Sequence, residues 1–249
     1  ALVAAGTMTL PQRDDLLASM TDDVAGHVLA HNYSQTRALT LQQATAAADL
    51  DAHERFMERL ETAGLLNRRV EYLPSAEELR ALRMAGQGMT RPELAVIMAY
   101  SKIVLFDEIV ASDAPDDAWL ATTLTAYFPD GCAPYTDAMA RHRLKREIIA
   151  TVIANRMIDL GGATFIDRVR ESAVAGTGAI VRAFSAATAI YDLDALIEAI
   201  DNLDGRVHAD VQTSLLQDVV AVLRRQTFWL ARKVTRSEGR GGSVGSLVA

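Results

Sequence analysis

Apolar residues recur along this chain at spacings of three and four, the repeat of amphipathic helices, and alternation of period two is almost absent. Pro11 can open a first helix carrying Leu16 and Leu17. Thr21 with Asp22 and Asp23 forms a cap that places carboxylates at the positive end of the next helix. That helix runs through Val24, Val28 and His31 toward Leu39 and on to about residue 48. A third starts near Asp51, with Phe56, Met57 and Leu60 inward and Arg55, Glu58, Arg59 and Glu61 outward, and Gly64 ends it. Residues 69–73 alternate weakly and read as an extended connection without a strand partner.

Ser75 and Glu78 have capping-box spacing and open a short helix that stops near Gly86 and Gly88. Thr90 and Glu93 form a second box, with Pro92 in the first turn, where a missing N–H costs nothing. Leu94, Ile97, Met98 and Leu105 follow on one face with Val96, Tyr100, Ile103 and Val104 beside them. A helix apolar over most of its circumference is a buried one, so this segment is expected at the centre of the fold. Asp113 to Asp117 reads as a turn before a helix through Trp119, Leu120 and Leu124, stopped by Pro129 and Gly131. Residues 134–160 form the longest candidate of the middle, with a stripe of Leu144, Ile148, Val152, Ile153, Met157 and Leu160 ended by Gly161 and Gly162.

Further helices are expected at 165–174, at 177–190 with Ile180, Phe184 and Ala187 on one face, and after Asp192 with Leu196, Ile197 and Ile200. The last spans about 206–234, with a stripe of Val211, Leu215, Val219, Val222 and Trp229. The predicted class is all-α, a multi-helix bundle of roughly ten helices with no substantial sheet. Residues 1–8 read as a connector, 9–235 as the helical domain and 236–249 as a flexible Gly-rich tail. The domain is one unit, or two packed lobes with a break near residue 130.

Composition narrows the function. Half of the 249 residues are hydrophobic, enough for a sizeable core. A formal charge of −7 disfavours a nucleic-acid partner, since phosphate contacts need a positive face. The single cysteine, Cys132, forms no internal disulfide and fits a reducing, cytoplasmic setting. No uncharged apolar run reaches 18 residues, so no membrane partner is expected. The opening ALVAAG lacks the length and basic flank of a signal peptide.

Candidate chemistry is sparse. A dinucleotide fold needs a strand, then G-x-G-x-x-G opening a helix. The glycines at 176–178 join two helices and those at 239–245 lie in the tail, so no cofactor site is expected in this chain. His27 and His31 stand one helical turn apart, a spacing that can share a metal, but no further ligand accompanies them, and no metal site is assigned. His53, His142 and His208 are isolated, and Cys132 lacks a local base. The run Asp201 to Gly205 lacks the order and distal Glu of a calcium loop and reads as a helix stop. Phe228 and Trp229 read as core or interface anchors. No catalytic residue is assigned.

Arg141, Arg143, Lys145 and Arg146 form the densest basic run, at the start of the 134–160 helix. Cations there oppose the helix dipole unless carboxylates or another subunit compensate. A solvated face with local ion pairs is the plain reading. Arg141, Arg143 and Arg146 are also candidates for an interface or regulatory contact. Arg91, before the presumed central helix, is a fourth, because arginine can lock helix ends together bidentately.

Four stretches in order, LLASMTDDVAGHVLAHNYSQTRAL (16–39), GLLNRRVEYLPS (64–75), GQGMTRPELAVIMAYSKI (86–103) and ARHRLKREIIATVIANRMIDLGGATFIDRV (140–169), carry a resemblance. Together they resemble the helical region near the C-terminus of the large, NAD-specific bacterial glutamate dehydrogenases. The resemblance implies a parent enzyme that deaminates L-glutamate to 2-oxoglutarate and ammonium with hydride passing to NAD. It also implies that the catalytic lysine and aspartate and the NAD-binding fold lie upstream of the matched region. The expected partners are the catalytic domain of the same polypeptide and further copies of the parent in a homo-oligomer. The expected role is core packing, assembly or control of domain closure. Two other classes are kept: an independent helical adaptor binding a partner protein, and an enzyme whose site assembles around His27 and His31.

Overall fold

The structure, a computed structural model, describes residues 2–237 and 243–248. Among these it has thirteen α-helices, two short 3₁₀ segments and no strand, the all-α class expected. The helices are α1 (Leu10–Ser19), α2 (Thr21–Thr45), α3 (Leu50–Thr62), α4 (Ala76–Met84), α5 (Arg91–Ala111), α6 (Ala121–Tyr127), α7 (Thr136–Ala140), α8 (Lys145–Gly161), α9 (Phe165–Ala173), α10 (Thr177–Ile190), α11 (Leu193–Asp201), α12 (Ala209–Ser237) and α13 (Val244–Val248). No single helix among the described residues is long and apolar enough to cross a membrane.

Local chemistry explains most boundaries. Both predicted capping boxes are present, and the Glu93 carboxylate accepts the Thr90 N–H at 2.6 Å. A third, Thr9 with Gln12, opens α1. The third helix ends as expected: Gly64 takes φ +70°, its N–H donates to Glu61 and that of Leu65 to Leu60, the paired bonds of a Schellman cap. Gly88 serves a different need. A Cβ there would lie 2.2 Å from the Ala46 carbonyl carbon, so only glycine lets this connection cross the end of α2.

The buried residues form two clusters. The smaller holds Phe56, Met57 and Leu60 of α3, Leu79 of α4 and Leu94 and Ile97 of α5. The larger holds the rest of α5, α8, α9, α10, α11 and α12, and it joins residues on both sides of position 130. α5 runs through both. Each large apolar side chain so buried contributes on the order of 1.5–3 kcal/mol.

Three expectations change. The most enclosed helix is α10, not α5: Ile103 of α5 is exposed, whereas α10 buries residues on every side. Ala179, Ala183, Ala186 and Ala187 are the reason, since small side chains let neighbours approach closely from all directions. The buried stripe of α12 is Leu216, Val219, Leu223 and Leu230, while Val211, Leu215 and Trp229 face outward. Residues 134–160 are not one helix, because the chain breaks between α7 and α8.

The expected flexible tail is divided. Residues 238–242 lie outside the described residues. Val244–Val248 instead form α13, packed on α10 with Val244 fully buried and its N–H donated to Asp117 Oδ2 at 3.0 Å. Burying Val244 and satisfying Asp117 offset the chain entropy that a Gly-rich sequence loses on ordering.

Candidate functional site

The four arginines singled out in the sequence do not converge. Arg91 starts α5 and donates to Thr40 Oγ1 (3.1 Å), Gln43 Oε1 (3.4 Å) and the Thr36 carbonyl (3.0 Å) on α2. It locks two helix ends together, through neutral oxygens rather than a carboxylate. Arg146 turns inward from the first turn of α8. Its Nη2 donates to the carbonyls of Val110 (2.9 Å) and Ser112 (2.7 Å), and its Nη1 pairs with Asp116. The guanidinium thus closes the C-terminal, negative end of α5.

Arg141 and Arg143 are exposed in the turn between α7 and α8, off any helix. His142 explains the break: its Nδ1 accepts the Leu144 N–H at 3.2 Å, a local bond that competes with the helical ladder. Like charges one turn apart add to the cost of continuing the helix.

The other sequence candidates settle into plain roles. His27 and His31 are exposed on α2, with Gln35 Nε2 3.1 Å from His31, and no group of three metal-binding side chains occurs among the described residues. Asp201 ends α11 and pairs with Arg37 of α2. Phe228 packs on the core, while Trp229 lies outside with Lys233 Nζ 3.7 Å from its ring centre. Cys132 Sγ lies 3.4 Å from Met20 Sδ, and burial pushes its thiol pKa up, away from a thiolate nucleophile. The glycines at 176–178 lie between α9 and α10, beside the Asp113–Arg182 ion pair. A Cβ on Gly178 would stand 2.8 Å from the Asp113 carboxylate.

The unusual feature lies at the N-terminal end. Between residues 9 and 37, Met20 alone is buried. α1 buries nothing, and neither do the first twelve residues of α2, a length of roughly 18 Å at 1.5 Å per residue. This arm is anchored at its base, where Tyr33 Oη lies 3.4 Å from Asp204 Oδ2 and Arg37 pairs with Asp201. Leu10, Leu17, Val24, Val28 and Leu29 are all about half exposed or more.

One side of the arm borders a groove of about 790 Å³. Its walls include Val24 and Val28 of α2, Tyr127 of α6, Val152 of α8 and Ile197 of α11. Sequence reasoning found the arm's helices and missed their exposure. Periodicity reports that a face is apolar and is silent on what covers it.

The comparisons match different families to the two ends of the chain. The family described as Bacterial NAD-glutamate dehydrogenase, catalytic domain, matches residues 1–42. The family described as Glutamate dehydrogenase, C-terminal, matches residues 86–244. The chain is 42% identical over 235 residues to an NAD-specific glutamate dehydrogenase of Halomonas elongata, covering 94% of this chain and 15% of that protein. It is 42% identical over 232 residues to one of Pseudomonas aeruginosa, covering 93% of this chain and 14% of that protein. To one of Mycobacterium tuberculosis it is 37% identical over 191 residues, covering 76% of this chain and 12% of that protein.

Proposed function

This chain belongs to the family of glutamate dehydrogenase C-terminal regions, and from that premise we propose that it is the C-terminal helical segment of a large NAD-dependent glutamate dehydrogenase. The parent would convert L-glutamate, NAD and water to 2-oxoglutarate, ammonium and NADH in the cytoplasm, with catalysis and NAD binding performed upstream of the helices described above. The segment itself docks to that catalytic part through the α1–α2 arm.

One observation carries this reading. The residues that match a catalytic domain, 1–42, include the exposed arm, while nearly all of the packed body lies in the remainder. A segment, residues 9–37, that buries only Met20 in its own domain supplies the hydrophobic area by which another unit is held. The groove beside it extends the same surface. A ligand or subunit contact that shifts the arm can then bias the catalytic part without touching substrate.

The test compares NADH production from L-glutamate by this chain, the full parent and a parent truncated before residue 1, with assembly followed by light scattering. This chain alone is expected to be inactive, and the truncated parent to lose activity or assembly. A truncated parent that turns over and assembles normally overturns the reading and leaves an independent adaptor in its place.

A further inference from the structure

On the opposite side of Asp159 from the groove, α2, α3, α9 and α12 enclose a second cavity, of about 400 Å³. Gln42, Asp49, His53, Thr164, Arg168 and Arg224 line it. They come from four separate parts of the chain, and their chemistry is not that of a packed core.

Much of this wall is spoken for. Gln42 Oε1 accepts the Ala163 N–H at 3.1 Å and so fixes the loop before α9. Asp49 accepts from Arg168 Nη2 (2.6 Å) and from Thr45 Oγ1 (2.8 Å). Asp159, also in the wall, pairs with Lys102 at 2.7 Å. Both carboxylates are therefore neutralised by cations of the protein itself.

What remains is positive or unpartnered. Thr164 precedes α9 but makes no cap; its hydroxyl accepts Arg168 Nε at 3.1 Å instead. The first N–H of α9, that of Phe165, donates to the Gly162 carbonyl at 3.1 Å, so Thr164 and Arg168 are the residues by which this end of α9 meets the cavity. Arg224, exposed at the mouth on α12, has no carboxylate partner among the described residues, and Arg225 joins it along an adjoining hollow. An independent sign of a ligand comes from His53. It is 2% exposed and lines the cavity, and its Nδ1 has no hydrogen-bond partner. An orphaned polar atom at such depth is costly and calls for a reason.

We propose that this cavity binds a small organic anion, its carboxylate or phosphate head held by Arg224 beside Arg168 and its body reaching toward His53. The volume suits a ligand larger than a bare inorganic ion and at the small end of metabolite sites. The charge-assisted contact at Arg224 supplies affinity, and the fixed Arg168 supplies geometry.

The experiment uses the 249-residue chain, titrated separately with sodium phosphate and sodium succinate at constant ionic strength, with the His53 ring resonance followed by NMR. A saturable shift of His53 with either salt is expected, and the salt that binds tighter identifies the head group. Arg224→Ala, whose side chain supports nothing else in the fold, should weaken binding about tenfold or more. Ala221→Leu, which fills the mouth, should abolish it, while Arg141→Ala should leave it unchanged. A His53 shift that rises linearly with either salt and is the same in Arg224→Ala marks an adventitious ion only and overturns the site. So does the absence of any shift. Neither result bears on the docking arm, and a normal truncated parent would not bear on this cavity.

Discussion

Lys102 of α5 and Asp159 of α8 form an ion pair with Nζ 2.7 Å from Oδ1, and their side chains are only 16% and 6% exposed. The pair sits between two closely packed helices and borders both cavities. Desolvating two charges cancels much of their attraction, so the pair adds little net stability while either member alone is costly. Asp159→Ala is therefore expected to destabilise the chain by about 3–5 kcal/mol in urea denaturation. The double variant Lys102→Met with Asp159→Leu should recover most of that loss. A double variant no better than the single one would show that the charges themselves hold the helices.

Arg146 closes the end of α5 through two carbonyls and Asp116, whereas Arg141 and Arg143 are exposed and form no ion pair among the described residues. Arg146→Ala should cost about 1.5–3 kcal/mol, the range for bonds from a charged donor. Lys at this position should restore only part of this, because one ammonium nitrogen cannot hold both carbonyls and Asp116, which the guanidinium reaches with two separate nitrogens. Arg141→Ala and Arg143→Ala should stay within about 0.5 kcal/mol of wild type. Equal losses at all three positions would refute the division.

Boundaries set by neighbouring residues were legible in the sequence, and relations across the fold were not. Ser75 with Glu78, Thr90 with Glu93 and Gly64 each act within one helical turn, so their spacing is their mechanism. α12 illustrates the opposite case. Its apolar doublets Leu215–Leu216, Val219–Val220 and Val222–Leu223 support two adjacent stripes equally, and only the position of α10 selects Leu216, Val219 and Leu223. The break before α8 depends on a histidine side chain taking a backbone N–H, which helical periodicity does not register. The second cavity draws on positions 42, 53, 168 and 224, too far apart for any motif. Its one local signal is His53, which falls on the inward stripe of Leu50, Met57 and Leu60.

That histidine makes stability depend on pH. Burial holds the pKa of His53 down to about 4, from an ordinary 6.5, against the raising effect of Asp49 and with a smaller lowering effect from Arg168. Between those values the unfolded chain binds a proton that the folded chain refuses, so stability rises with pH across the window and falls on acidification. The loss should total about 3 kcal/mol at most by pH 4, and level off below it. Asp49, its pKa lowered by Arg168 and Thr45 despite burial, adds its own loss only at more acidic pH. In urea denaturation from pH 7 to 4.5, His53→Asn should show a clearly flatter profile than wild type. Parallel profiles would mean that His53 takes up its proton in the folded state.

The arm separates stability from docking. Val28 and Leu29 are more than half exposed on a part of α2 that buries nothing in the chain itself. Replacing Val28 with Asp empties no buried position, and the two residues have similar helix propensity. The melting of the 249-residue chain should therefore shift by an amount equivalent to about 0.5 kcal/mol or less. In the full parent the same carboxylate would be forced into an apolar interface without a partner. A buried, unpaired charge of this kind costs several kcal/mol, enough to release the arm or disrupt assembly. Leu29→Asp should act in the same direction, and Arg143→Ala, off the arm, should not. Light scattering and glutamate-dependent NADH production on the three parent variants give the comparison. A Val28→Asp parent that assembles and turns over like wild type would place the contact elsewhere on the body, with the exposed Val211, Leu215 and Trp229 of α12 the next surface to change.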